Sequence, residues 1–197
     1  MYCALILKHF SQVYSESYAA ANLKACNYYC LFNGKVPENE LKMFSDLPKA
    51  GSIKELIRHN ITVFSNGDKA LQVLPSLIDI IPEARLNLGI FYLRHNQPDK
   101  ANEVLKDLNP STPQECALKA IVNVILGQER ENPDMLTKAN NLFYEVGSSS
   151  NNCDTVLGRQ CMASYYFMLG QFEDVIIYLE SVKSYMSKCF IVFKHSL

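Results

Sequence analysis

Residues 82–113 read PEARLNLGIFYLRHNQPDKANEVLKDLNPSTP, and this stretch decides the fold. Pro82-Glu83 opens a helix, with proline at a first position where its missing N–H costs nothing. Gly89 is followed by Tyr92 three residues on, by Ala101 nine further, and by Pro113 twelve further still. Asn96-Gln97-Pro98 ends the first helix, and Asp99 starts a second that runs to Leu108. Thr112-Pro113-Gln114-Glu115 then has the form of another helix start: hydroxyl cap, first-position proline and third-position glutamate. The spacing predicts that Gly89 and Ala101 face each other across a hairpin. Small side chains there let two backbones approach, and Tyr92 fills the adjacent groove.

The same period continues in both directions. From Ala19 to Phe32, apolar residues recur at three and four (Ala21, Ala25, Tyr28, Tyr29, Phe32), with Leu23 and Leu31 widening the stripe. Asn33-Gly34-Lys35 interrupts it, and Glu38 to Leu47 resumes it. Ser52-Ile53-Lys54-Glu55 has the pattern of a capping box, predicting a helix to Phe64 that stops at Asn66-Gly67. Asp68 is expected to cap the next helix, and Pro75 to kink or delay it. Downstream, one helix reaches Gly127 and a polar insert covers Glu129 to Pro133. Further helices are expected over Asp134–Val146, Asp154–Leu169 and Phe172–Tyr185, with a flexible loop at Gly147–Asn152. The sum is about ten helices and no strand.

One frame aligns Ala70, Ala101, Ala139 and Val175 at intervals of 31, 38 and 36 residues. Ala70 to Pro82 repeats the twelve-residue interval. Ala163, Tyr166 and Val175 repeat the three and the nine, with Gly170 at the turn. These spacings resemble the tetratricopeptide repeat, though degenerately: Arg58 and Ile61 stand where Gly and Tyr belong, and residues 17–48 fit poorly. The resemblance implies an all-α fold, with tetratricopeptide-like hairpins stacked in a right-handed superhelix.

Composition narrows the function. The chain has 197 residues, and its 19 Lys+Arg against 20 Asp+Glu leave no basic surplus for a phosphate backbone. No nucleic acid partner is therefore expected. No apolar run approaches the ~18–20 residues of a membrane span. Met1–Leu7 has the apolar character of a signal peptide, but Lys8 follows that run instead of preceding it. The seven cysteines (3, 26, 30, 116, 153, 161 and 189) contain no C-x-x-C, and no histidine stands at zinc spacing from a pair. They read as free thiols in a reducing compartment, with neither metal nor cofactor implied.

Reactive chemistry is weakly supported. Asn33-Gly34-Lys35 lacks the preceding glycine of a phosphate-binding loop. Asp79, Glu83 and Glu115 sit at helix edges in different units. Cys116 near His95 is the one nucleophile–base pair the order of helices allows, and a core thiol beside a helix-end histidine explains it better. The sequon Asn60-Ile61-Thr62 falls mid-helix, and Tyr28-Tyr29 and Tyr165-Tyr166 are expected as packing residues. No catalytic residue is assigned, and the chain reads as no enzyme. A groove along the first helix of each hairpin would be lined by Leu86, Ile90, Leu93 and Arg94, then Ala117, Ile121, Val124 and Ile125, then Gln160, Ser164, Phe167 and Met168. Its apolar character points to a protein partner or an adjoining part of the same array, with no individual binding residue assigned. A co-chaperone-type peptide-binding module, the rival reading, would need Lys, Arg and Asn turned inward.

Longer runs are more specific. They include Leu23-Lys-Ala-Cys-Asn27, Lys54-Glu-Leu-Ile-Arg-His-Asn60, Ala70-Leu-Gln-Val-Leu-Pro75, Ile81-Pro-Glu-Ala-Arg-Leu-Asn-Leu88, Leu126-Gly-Gln-Glu129 and Gly158-Arg-Gln-Cys-Met-Ala-Ser164. Over residues 20 to 185 they resemble the intraflagellar transport 56 family. That resemblance implies a non-catalytic adaptor or scaffold of the ciliary transport B complex that supports cilium assembly. Its partners would be other subunits of that complex, ciliary cargo including motility proteins, and kinesin-linked transport. It would reside in the cilium or flagellum and at the ciliary base, with a cytoplasmic pool. On this reading 1–16 is a divergent segment, 17–185 the repeat array and 186–197 a divergent tail, as in a fragment or short form. The last family-like helix carries Val175, Ile176, Ile177, Tyr178, Leu179 and Val182, too many apolar residues for one buried stripe. With Phe190-Ile-Val-Phe193 beyond it, this end is expected to be adhesive.

Overall fold

The computed structural model describes residues 17–31, 35–44 and 51–188. Among them are ten α-helices, one 3₁₀ turn and no strand. The chain forms two compact units, Met1–Leu88 and Gly89–Leu197. Within each, adjacent helices pack as stacked hairpins in a tetratricopeptide-like fold.

In the first unit α1 (Tyr18–Leu31), α2 (Lys35–Lys42) and α3 (Gly51–Phe64) pack mutually. Ala25, Leu41, Ile57 and Phe64 form their core, Tyr29 stacks on Phe64 at 4.6 Å, and Lys24 reaches Glu40 across the first hairpin at 2.8 Å. Within 17–48, the stretch that fits the repeat poorly in sequence, the described residues thus still contribute a helical pair. Ser52 lies inside α3, which already includes Gly51, so it does not stand at the N-cap; the Asn33-Gly34 turn lies outside the described residues. Asp68 does not cap the next helix either. Left-handed Lys69 (φ 59°) precedes α4 (Ala70–Val73) with no side-chain cap, and the Ala70 N–H donates instead to the Gly67 carbonyl at 2.9 Å. Pro75 shortens α4 to a single turn, which continues as a 3₁₀ turn over Leu74–Leu77, because proline has no N–H to extend an α-helix.

A polar relay is built around the buried His59 in this unit. The Asn87 amide, in the middle of α5 (Pro82–Arg94), lies 3.0 Å from His59 Nε2, and His59 Nδ1 lies 2.9 Å from Asn60 Oδ1. Asn60 in turn donates to Asn22 Oδ1 at 2.8 Å. The direction is self-consistent only if His59 carries its proton on Nδ1. The sequon is thereby occupied: Asn60 is in the relay, and Thr62 is buried and donates to the Arg58 carbonyl.

The second unit continues with α6 (Pro98–Leu105), α7 (Pro113–Glu129), α8 (Pro133–Ser148), α9 (Val156–Met168) and α10 (Phe172–Lys188). α7 packs on α6, α8 and α9, and α9 packs on α8 and α10. The capping box at Thr112 and Glu115 forms in full, Asn132 caps α8, and Thr155 caps α9. Lys119 donates to the Leu108 carbonyl at 2.6 Å, satisfying a carbonyl beyond the end of α6. Gly89 is buried, but a side chain there would meet Leu105 at 3.3 Å and Leu118 at 3.4 Å, so its nearest neighbours are leucines and not Ala101. Ala101 itself is fully buried. Ala101→Leu is expected to overpack α6 and cost about 1–3 kcal/mol in urea unfolding; an unchanged midpoint would show that this side of α6 has room.

The repeat is most regular at its turns. After α3, α5, α7 and α9 the chain places Asn66, Asn96, Glu131 and Gly170 in the left-handed region, at φ 58°, 54°, 50° and 73°. In every case the next N–H returns six-to-one to the helix: Gly67 to Thr62, Gln97 to Tyr92, Asn132 to Gly127 and Gln171 to Tyr166, at 2.8–3.0 Å. This is the Schellman closure, which satisfies carbonyls that the end of a helix would orphan. Four hairpins therefore turn by one device.

Candidate protein-docking surface

The groove expected along the first helices is not one continuous lining. Ala117 is in the core with Cys116, Ala120, Ala139, Phe143, Val146 and Cys161, while Val124 and Met168 pack against that core. Leu86, Ile90, Leu93, Ile125, Gln160 and Ser164 are half-buried; Arg94, Ile121 and Phe167 are exposed. The cause is that α7 is covered from several sides, by α6, α8 and α9, which removes much of its apolar stripe from the surface.

The exposed apolar surface of the second unit lies instead on its last hairpin. Phe172, Ile176 and Leu179 stand at i, i+4 and i+7 on one face of α10 and are 58, 56 and 50% exposed. Phe167 of α9 meets Phe172 edge-to-face at 5.8 Å and extends the strip onto the neighbouring helix. Val182, about a quarter turn around α10 from that strip, is buried, so the apolar residues of the helix divide between a covered and an uncovered side. The surplus of apolar residues at 175–182 is therefore real, and its outer part is uncovered among the described residues. Contiguous exposed apolar patches of this kind mark interaction sites. Phe190–Phe193 lies outside the described residues.

The residues considered for chemistry do not converge. The His95 ring lies on Phe91 with a centroid separation of 4.1 Å and Nδ1 2.8 Å from the Phe91 carbonyl, while Cys116 is in the core. Asp79 approaches Arg85 at 3.9 Å, and Glu83 is exposed. Glu115 serves its capping box. The Ser111 N–H, above all, holds its carboxyl below the ordinary 4.5; partial burial opposes this, and the Thr112 N–H and the two hydroxyls assist. A lowered native value means that this contribution is present above about pH 4.5 and is lost as pH falls through the native value. Glu115→Gln is accordingly expected to flatten the loss of urea stability between about pH 5 and pH 3. Parallel profiles for the two proteins would contradict this.

Burial, then the nearby Cys116, pushes the Cys161 thiol up to about 12; burial and the carboxylates of Glu145 and Glu115 raise Cys116. Cys26 and Cys153 are half-buried. Cys116 and Cys161 are expected to react with a thiol reagent only at the rate of unfolding, behind Cys26 and Cys153. Rapid modification of Cys161 in the folded protein would contradict its placement. Cys3 and Cys189 lie outside the described residues. Among the described residues no three His, Cys, Asp or Glu gather to hold a metal, and no helix is long and apolar enough to cross a membrane.

Two features carried no sequence signal of their own. The close crossing of α8 and α9 at Gly147 and Gly158 depends on a neighbour remote in register, and the Asn22–Asn60–His59–Asn87 relay joins residues that no motif links. The uncovered strip was foreshadowed by the unbroken apolar run at 175–179.

These stacked hairpins are those of a helical repeat protein. The family model for intraflagellar transport protein 56 matches residues 3–193. An intraflagellar transport protein 56 homolog of Caenorhabditis elegans is 42% identical over 135 residues, which is 68% of this chain and 24% of the relative. The chain thus spans about a quarter of the length of that relative. A match over nearly the whole sequence, on hairpins of the expected kind, decides the affiliation: the chain belongs to the intraflagellar transport protein 56 family.

Proposed function

We propose that the chain acts as a non-catalytic adaptor or scaffold in the intraflagellar transport B complex, supporting cilium assembly and the movement of ciliary proteins, motility proteins among them. Family membership over residues 3–193 is the observation that carries this reading. The uncovered Phe172–Ile176–Leu179 face supplies a surface through which a helical array engages a neighbour. Its partners on this reading are other subunits of the complex and ciliary cargo, with a connection to kinesin-linked transport. Its location is the cilium or flagellum and the ciliary base, with a cytoplasmic pool.

The test is to express the tagged full chain in ciliated cells, image it, and identify co-purifying proteins by mass spectrometry. Enrichment of transport B subunits, with signal at the ciliary base and along the axoneme, is expected. Recovery of chaperones alone, with diffuse signal, would overturn the reading in favour of a peptide-binding co-chaperone module.

A further inference from the structure

Four tyrosines on three successive helices form a continuous ladder. Tyr144 of α8 lies 5.1 Å from Tyr165 of α9, Tyr165 lies 5.3 Å from Tyr166, and Tyr166 stacks on Tyr178 of α10 at 5.6 Å, with 25° between the planes. Tyr165 also packs against the core and anchors the series. Tyr144 is 49% exposed, and Tyr166 and Tyr178 are half-buried. Among the described residues no hydrogen bond to any of the four hydroxyls is seen, and none is a buried orphan.

The electrostatics of the ladder have one sign. Asp174 stands one helical turn before Tyr178, close enough to act on Tyr166, and has no ion-pair partner among the described residues. Burial first, then Tyr178, Asp174, Tyr165 and Tyr144, raise the Tyr166 hydroxyl, so further negative charge is disfavoured there. Lys183 is nine residues from Asp174, half a turn round α10 and so on its opposite side. Arg159 is engaged by Asp154 at 2.9 Å. Elsewhere tyrosine rings of this chain do take cations: Lys24 lies 5.4 Å above Tyr28, and Lys100 lies 5.8 Å above Tyr92. Among the described residues, no ring of the ladder is so covered.

Stacked, electron-rich rings beside an uncompensated carboxylate attract a cation and repel a phosphate. We propose that the ladder Tyr144–Tyr165–Tyr166–Tyr178, with Asp174, is a docking strip for a basic partner segment that lays arginine or lysine side chains over the rings. The strip lies apart from the Phe172–Ile176–Leu179 face, about 120° away around α10, and does not depend on what that face binds. A nucleic acid, the other ligand for which stacked aromatics are suited, is disfavoured by Asp174.

Fluorescence anisotropy on the full chain tests this, with labelled nona-arginine, nona-glutamate and oligothymidylate as probes. Nona-arginine alone is expected to bind. Tyr166→Leu with Tyr178→Leu is expected to weaken binding about tenfold, and Asp174→Asn about threefold. Tyr144→Leu, at the exposed end of the ladder, is expected to weaken it about threefold in a chain whose thermal melt is unchanged. Asp134→Asn, which removes the same charge at the start of α8, should leave affinity as it was. Equal affinity of the ladder variants and the parent for nona-arginine would overturn the proposal, as would no binding or preference for oligothymidylate.

Discussion

Gly158→Ala is expected to lower stability by about 3 kcal/mol, a large effect for a single added methyl group. Gly158 sits in the first turn of α9, where Thr155 caps the helix by accepting the Gly158 N–H at 3.0 Å. A Cβ built there would run into the Asn152 carbonyl oxygen and lie 2.7 Å from its carbon. The obstacle is backbone, so no rotamer change can relieve it. That carbonyl is also fixed, because it accepts the Thr155 N–H and hydroxyl at 2.8 and 2.7 Å. Across the crossing, a side chain on Gly147 would meet Met162 and the Gly158 carbonyl. Gly147→Ala should cost less, since the flexible end of a methionine can give way. The two variants should rank in this order in chemical denaturation. Equal, small effects would mean that the 149–155 loop moves freely.

Phe143→Ala is expected to cost about 3–5 kcal/mol. Phe143 is 5% exposed, and its buried neighbours are small: Ala117, Ala120, Ala139, Cys116 and Cys161, with Val146. Alanines cannot reach into the vacated volume, so the cavity stays open and its full penalty is felt. Tyr144→Ala, one position along and 49% exposed, should cost far less. Urea unfolding of the pair checks the register of α8 directly. If Tyr144→Ala proved the more damaging, α8 would be turned by about 100° from its described orientation.

The helices were legible because punctuation and period agreed. Pro82, Pro98, Pro113 and Pro133 each stand in the first turn of a helix, and the Thr112–Glu115 box forms as its residue types require. Three frame alanines, Ala70, Ala101 and Ala139, are buried at 1% or less. The strictest element of the repeat was harder to see. The left-handed turn position holds Asn, Asn, Glu and Gly, and Glu131 is a residue type that gives no turn signal. It occupies the position because the six-to-one hydrogen bond imposes the conformation. Asp68 shows the reverse case, a good capping residue bypassed because a backbone carbonyl already serves.

The surface was less legible than the core. Helical period places Tyr165 and Tyr166 beside a stripe, but only the neighbouring helices determine that Tyr165 goes to the core and Tyr166 to Tyr178. Likewise the apolar run of α10 announces an excess without saying which residues remain outside. Packing of α10 on α9 buries Val182 and leaves Phe172, Ile176 and Leu179 exposed.

On the proposed function, this chain works by docking through the outer face of α10. Quantitative co-purification from ciliated cells tests it most directly, comparing the tagged chain with Ile176→Glu/Leu179→Glu. Both side chains are at least half exposed, so the double variant should keep its circular dichroism and melting midpoint. Recovery of transport B subunits is expected to fall about tenfold or more from the parent chain to the variant. Undiminished recovery of those subunits by a variant that is folded and equally expressed would contradict it.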